Sequence, residues 1–191
     1  MSSSEHTFKI IVIGDPMVGK TSLITRFSKR TFSELYKQTI GTTLNIAEAN
    51  VGSVLIRLVI WDLGGQPRFD AVRKLYFLGS DAAIMVFDLT KRETFDNLEG
   101  WRQAFQKAVP DEVPITLVGN KVDLASKRAV QEIEAERYQM RQEFDAYVET
   151  SARSGENVAE LFDVLTRLLV QSRVVEMRER LQPFIFTSFA S

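Results

Sequence analysis

The chain has 191 residues, 45% hydrophobic and 26% charged, which predicts one globular domain rather than disorder. Its 24 basic and 25 acidic side chains give a formal net charge of -1, excluding a general polyanion binder; any affinity for phosphate must come from a local site. There is no cysteine, which excludes disulfides, thiolate metal sites, a cysteine nucleophile, prenylation and palmitoylation. Met1–Thr7 reads as a loose polar terminus with no secretory pattern, and Ser2 is not the glycine that myristoylation needs. No apolar run is long enough to span a membrane, so the cytosol is the expected location.

The rest alternates short apolar runs with longer helical patterns. Strands are expected at Phe8–Ile13, Thr43–Val51, Val54–Trp61, Ala82–Phe87, Ile115–Val118 and Ala146–Val148. Helices are expected at Lys20–Ser28, Phe69–Leu75, Glu93–Val109, Val130–Glu143 and Val158–Leu181. IIVI, AAIMVF and ITLV are apolar on both faces, as in a parallel sheet covered on both sides. Gly52-Ser53 signals a hairpin, so one strand runs antiparallel. The expected fold class is a three-layer α/β domain with a mixed six-stranded sheet and helices on both faces. Its expected limits are 8–171, followed by a helical extension and apolar tail at 172–191. Ligands bind such sheets at the carboxyl ends of the strands.

Gly14–Thr21 (GDPMVGKT) lies between the first strand and the first helix and fits G-x-x-x-x-G-K-[ST], a phosphate-cradling loop. Lys20 would reach the β- and γ-phosphates, and Thr21 would give its hydroxyl to Mg²⁺. Pro16 has no N–H, but the donors nearest the phosphates would be Val18, Gly19, Lys20 and Thr21, with Met17 at the bridging oxygen. In WDLGGQ, Asp62 can face Mg²⁺ through water. Gly64 and Gly65 allow close backbone approach, and Gln66 can orient a water for in-line attack. In GNKVD, Asn120 can bond the Hoogsteen edge of a base, and Lys121 can lie along the purine. Asp123 can accept from guanine N1–H and its 2-amino group, donors that adenine lacks. Such a site can reject the wrong base by roughly 10⁴–10⁵. In ETSAR, the Ser151 and Ala152 amides could meet guanine O6. Taken singly, each loop also fits an ordinary polar or glycine-rich turn; their order along the chain favours the nucleotide reading.

The ordered set GDPMVGKT, YKQTIG, WDLGGQ, NKVD and ETSA resembles the small GTPases of the Ras superfamily, over about Phe8–Val170. RLVIW, RF, YF and MVFDLT resemble the Rab branch, whereas DLGGQ looks like the Arf branch and Leu44 stands where Rabs usually carry Phe. The resemblance implies a P-loop GTPase fold and a GTP/GDP-dependent switch using Mg²⁺. It implies that Thr39 ligates Mg²⁺ and senses the γ-phosphate, Tyr36 closes over the phosphates, and Phe32 stacks at the guanine edge. It extends the nucleotide contacts to Asp15, Pro16, Ser22, Leu124 and Arg153. The implied catalytic set is Gln66, Lys20, Gly65 and Thr39; the implied metal set is Thr21, Thr39 and Asp62. Effectors, an activating protein and an exchange factor are implied as partners, acting on a monomer, with no nucleic acid.

Three departures qualify the resemblance. Pro16 stands where relatives carry Gly or Ser, and its ring is expected to face Gln66 and the entry of an activator's arginine. Pro67 follows Gln66 where relatives have Glu, stiffening that loop. The tail FIFTSFAS, after an expected helix break at Pro183, carries Phe184, Ile185, Phe186 and Phe189 and no cysteine. It is expected to fold onto the domain, to meet a partner groove, or to touch a membrane weakly. No arginine lies within Thr31–Gly41, so hydrolysis should be slow without a partner's arginine, which is worth roughly 10³–10⁵ in rate. A guanine-nucleotide module with little or no hydrolysis is the competing function; a metabolic ATPase conflicts with Asp123.

Overall fold

The computed structural model describes residues 5–32, 39, 41–51, 54–64, 70–110 and 113–187. The strands are β1 (Glu5–Ile13), β2 (Thr42–Val51), β3 (Val54–Leu63), β4 (Ala82–Asp88), β5 (Ile115–Asn120) and β6 (Ala146–Thr150). They form one six-stranded sheet in the order β2-β3-β1-β4-β5-β6. The β2–β3 pair is antiparallel and every other pair is parallel. The sheet is mixed, and apolar side chains of the helices cover both of its faces. β1 begins at Glu5, earlier than its apolar run predicts, because the pairing with β3 carries His6 against Ile56 and Thr7 against Arg57.

The helices are α1 (Lys20–Lys29), α2 (Asp70–Phe77), α3 (Arg92–Asp96), α4 (Leu98–Gln106), α5 (Glu132–Arg141) and α6 (Val158–Thr187). A 3₁₀ helix at Val122–Lys127 joins β5 to α5, a segment in which the sequence pattern shows no helix. β1 divides the core by alternation. Ile10 and Val12 pack with Leu23 and Ile24 of α1 and Leu161, Phe162 and Leu165 of α6. Ile11 and Ile13 face Phe77 of α2, Phe95 of α3, Trp101 and Phe105 of α4, and Tyr138 of α5. Each such side chain contributes about 1.5–3 kcal/mol by leaving water. Phe27 stacks on Phe162 at a centroid distance of 3.7 Å, fixing α1 against α6.

Two helix expectations are corrected. Glu93–Val109 is not one helix: the chain turns tightly at Asn97, whose side chain is drawn to Asp15. Pro183 does not end α6, which runs to Thr187. Proline's fixed φ is itself helical, so the backbone can continue through it although one N–H bond is lost. No helix among the described residues is long and apolar enough to cross a membrane. β1 pairs with β3 on one side and with β4 on the other, so the carboxyl end of β1 is the switch point where a ligand crevice opens.

Candidate functional site

At that switch point the 14–21 loop wraps over the N-terminus of α1. Gly19 has φ 103°, and a Cβ there would lie 2.2 Å from Asn120 Nδ2, so glycine is required on two counts. No side chain caps α1, and no acidic residue stands in its first turn. Its leading amides and positive dipole end are therefore available to an anion. Lys20 is buried, with Nζ donating to the carbonyls of Gly14 (2.7 Å) and Asp15 (2.8 Å). Val18 is fully buried behind the loop. The Asp15 carboxylate faces outward from it, accepting from Asn97 Nδ2 and Trp101 Nε1, both at 2.8 Å. Pro16 sits on the turn beside it.

Beside the α1 N-terminus three oxygens converge. Thr21 Oγ1 donates to Asp62 Oδ2 and lies 2.8 Å from Thr39 Oγ1, which is 3.4 Å from the same carboxylate oxygen. Asp62 is wholly buried, and its other oxygen, Oδ1, has no partner among the described residues. Burial pushes its pKa up, against the opposing pull of Thr21, Lys20 and Thr39. Two hydroxyls and an under-satisfied buried carboxylate are the hard oxygen donors that Mg²⁺ takes alongside water and phosphate, so the residues present fit that ion. Gly64 joins the two flanking segments: its amide donates to Gly41 O at 2.8 Å, and a Cβ would lie 2.8 Å from Thr39 O.

On the far side of the loop is a cavity of about 260 Å³ lined by Met17, Gly19, Ser22, Phe32, Asn120, Lys121, Asp123, Leu124, Ala152 and Arg153. Asn120 is its frame. Nδ2 donates to Val18 O at 2.8 Å, while Oδ1 accepts from Thr150 Oγ1 and the Ala152 amide, both at 3.2 Å. Ser151 Oγ donates to Asp123 Oδ1 at 2.6 Å and fixes the carboxylate. Neither of the two amides expected to meet a base is open in this structure: that of Ser151 donates to Glu156 O at 3.0 Å, and that of Ala152 to Asn120 Oδ1. The Ser151 hydroxyl, not its amide, is the group turned to Asp123. Lys121, at φ 75°, lays its ammonium between Met17 O (2.9 Å) and Asp88 Oδ2 (2.6 Å).

The geometry thus brings together Lys20, Thr21, Thr39 and Asp62 at one end and the cavity-lining residues at the other. Tyr36, Gly65, Gln66 and Pro67, and with them the expected Pro16–Gln66 juxtaposition, lie outside the described residues. Sequence reading passed over three groups. Arg26 of α1 donates from Nε to Ala152 O at 2.9 Å and from Nη2 to Arg153 O, tying down the loop after β6. Asp88 backs Lys121. Glu149 accepts both Arg128 guanidinium nitrogens and the Tyr147 hydroxyl. Burial raises the Glu149 pKa, but those donors outweigh it and hold the carboxyl below its ordinary range. A lone acid closing an apolar strand, as in MVFDLT, was the available signal for Asp88, and it is the same signal that picks out Asp62.

Residues 9–171 match the Ras family. Rab-13 of Rattus norvegicus is 38% identical over 163 residues, covering 85% of this chain and 80% of that protein. Rab-1 of Theileria parva is 38% identical over 170 residues (88% and 77%), and Rab-7L1 of Rattus norvegicus 34% identical over 177 residues (90% and 86%). The fold and the phosphate loop define a P-loop nucleotide-binding domain. The chain belongs to the Ras family, as a Rab-like small GTPase: a GTP-binding, GTP-hydrolysing molecular switch.

Proposed function

We propose that GTP and GDP lie across the switch point with the phosphates on the α1 N-terminus and the base between Lys121 and Phe32. Val18, Gly19, Lys20, Thr21 and Ser22 hold the phosphates, with Asp15, Pro16 and Met17 forming the outer turn. Asn120, Lys121, Asp123, Leu124, Ser151, Ala152 and Arg153 form the base pocket. Thr21, Thr39 and Asp62 hold Mg²⁺, which when bound neutralises phosphate charge. The observation that carries this reading is the placement of Asp123, fixed by Ser151, in one cavity with Gly19 and Asn120 at the uncapped α1 N-terminus. A carboxylate held there accepts two donors from guanine and none from adenine.

In hydrolysis, water oxygen bonds to the γ-phosphorus as the bond to the β–γ bridging oxygen breaks, giving GDP and inorganic phosphate. Gln66 orients that water, Gly65 and Thr39 meet the γ-phosphate through backbone N–H groups, and Lys20 spreads the charge. The segment Thr31–Gly41 contains no arginine, so turnover is slow until an activating partner supplies one. Release of phosphate frees Thr39 and the segment after Gly64, and effectors read the difference. A monomeric, cytosolic chain served by an exchange factor completes the proposal.

A competition panel of GTP, GDP and ATP with single-turnover hydrolysis tests it. GTP and GDP are expected to exclude ATP, and Gln66→Leu to bind GTP while losing hydrolysis. Equal affinity for ATP would refute the Asp123 assignment.

A further inference from the structure

We propose that Asp88 is a positioning residue for nucleotide retention: acting through Lys121, it holds the Met17 peptide in the strained backbone conformation the phosphate loop requires. The inference rests on the reading of Met17 and Lys121 as nucleotide-binding residues.

Three observations meet here. Met17 has φ 66°, in the left-handed region that favours glycine, and it is 53% exposed, so packing does little to hold it. Its carbonyl accepts from Lys121 Nζ at 2.9 Å. The same ammonium is gripped from behind by Asp88 Oδ2 at 2.6 Å, and Asp88 is completely buried at the end of β4. Asp88 is itself locked, its Oδ1 accepting from the Thr90 amide at 2.9 Å and the Thr90 hydroxyl at 2.7 Å. A rigid buried carboxylate thus aims a lysine at one peptide of the phosphate loop.

A buried charge keeps its partner at short range, because either ion left alone there is costly. Without the Asp88 charge, the partly exposed Lys121 side chain is drawn to solvent. The Met17 carbonyl then loses its donor, and the peptide between Met17 and Val18 is freed to rotate. That peptide carries the Val18 N–H, one of the amides aimed at the phosphates. Faster nucleotide loss should follow. Base choice, which resides in Asn120 and Asp123, should not change.

The test is dissociation of a fluorescent GDP analogue from the full chain with Mg²⁺. Asp88→Asn is expected to speed dissociation about tenfold or more, as loss of a charge-assisted buried contact predicts. Lys121→Met should do the same, and the double variant should be no faster than Lys121→Met alone, since Asp88 acts only through the lysine. In a Met17→Gly background, where the backbone adopts this φ without help, the Asp88→Asn effect should shrink to about threefold or less. Unchanged dissociation in Asp88→Asn, additive effects in the double variant, or an undiminished effect in the Met17→Gly background would each overturn the proposal. If Asp88→Asn does not fold, the Lys121→Met and Met17→Gly cycle decides: its coupling must be lost in the same way. Competition with ATP in each variant separates the readings. Guanine preference kept with parent-like dissociation sinks the brace alone, whereas no guanine preference in the parent sinks the site assignment beneath it.

Discussion

Asp62 carries a charge that its surroundings hold at a cost. It is fully buried, burial raises its pKa, and Oδ1 lacks a partner among the described residues. A cation shared with Thr21 and Thr39 would reverse that balance. Asp62→Asn keeps the shape and removes the charge. In EDTA the variant is expected to melt higher than the parent, by about 1–3 kcal/mol of stability. With Mg²⁺ and GDP the order should reverse, because only the carboxylate gains from the ion. Thermal melts of both chains in both buffers check this; a variant less stable in EDTA would mean that the charge is already well paired. The amides of Val18, Gly19, Lys20 and Thr21 all follow Pro16, so Pro16→Gly is expected to leave GDP affinity near that of the parent and to change stimulation by an activating protein, as parallel turnover assays would show.

At the scale of elements, the loop after β6 is held by Arg26 from α1, and the strand leading into it by the Arg128–Glu149 pair beside the 3₁₀ helix. Glu149's lowered pKa gives stability that is present above the unfolded carboxylate pKa and is lost as pH falls through the folded value. Arg128→Ala should therefore destabilise by about 1–3 kcal/mol at neutral pH. The deficit should shrink as pH falls below the ordinary carboxylate range and through the lowered folded pKa of Glu149, where the carboxyl becomes protonated in both chains. Denaturant melts across pH measure it; a deficit independent of pH would assign the loss to packing. All six strands were legible because their apolar runs answer to a sheet covered on both faces. The phosphate loop was legible because its glycines and lysine are fixed by local geometry. What was not legible depends on distant partners. Asn97 divides α3 from α4 and holds Asp15, 82 positions away along the chain. Asp88 meets Lys121 only after β4 and β5 pair side by side. The Ser151 amide looked available for a base because Glu156 closes the turn on it only in three dimensions.

Across the whole molecule, the two cores flank β1 and the site sits at their common edge. The α6 helix spans 30 residues, about 45 Å, and runs on to Thr187. The match to the Ras family ends at residue 171, and the cavity lining reaches no further along the chain than Arg153. A chain ending at Ser172 is therefore expected to keep GDP affinity within about twofold of the parent. A larger loss, measured by titration, would make the extension part of the domain.

Asp15's hold on Trp101 also makes the molecule its own optical instrument. The chain has two tryptophans. The Trp101 indole N–H rests on the phosphate-loop carboxylate. Trp61, on β3, stands 5.9 Å from the Tyr76 ring of α2. The first fluorophore is expected to report on the 14–21 loop, the second on the surface that flanks α2. Trp61→Phe leaves emission from the phosphate loop alone; Trp101→Phe leaves emission from the α2 side alone. Stopped-flow traces of the two chains during nucleotide exchange would therefore time the two regions separately, with no attached dye.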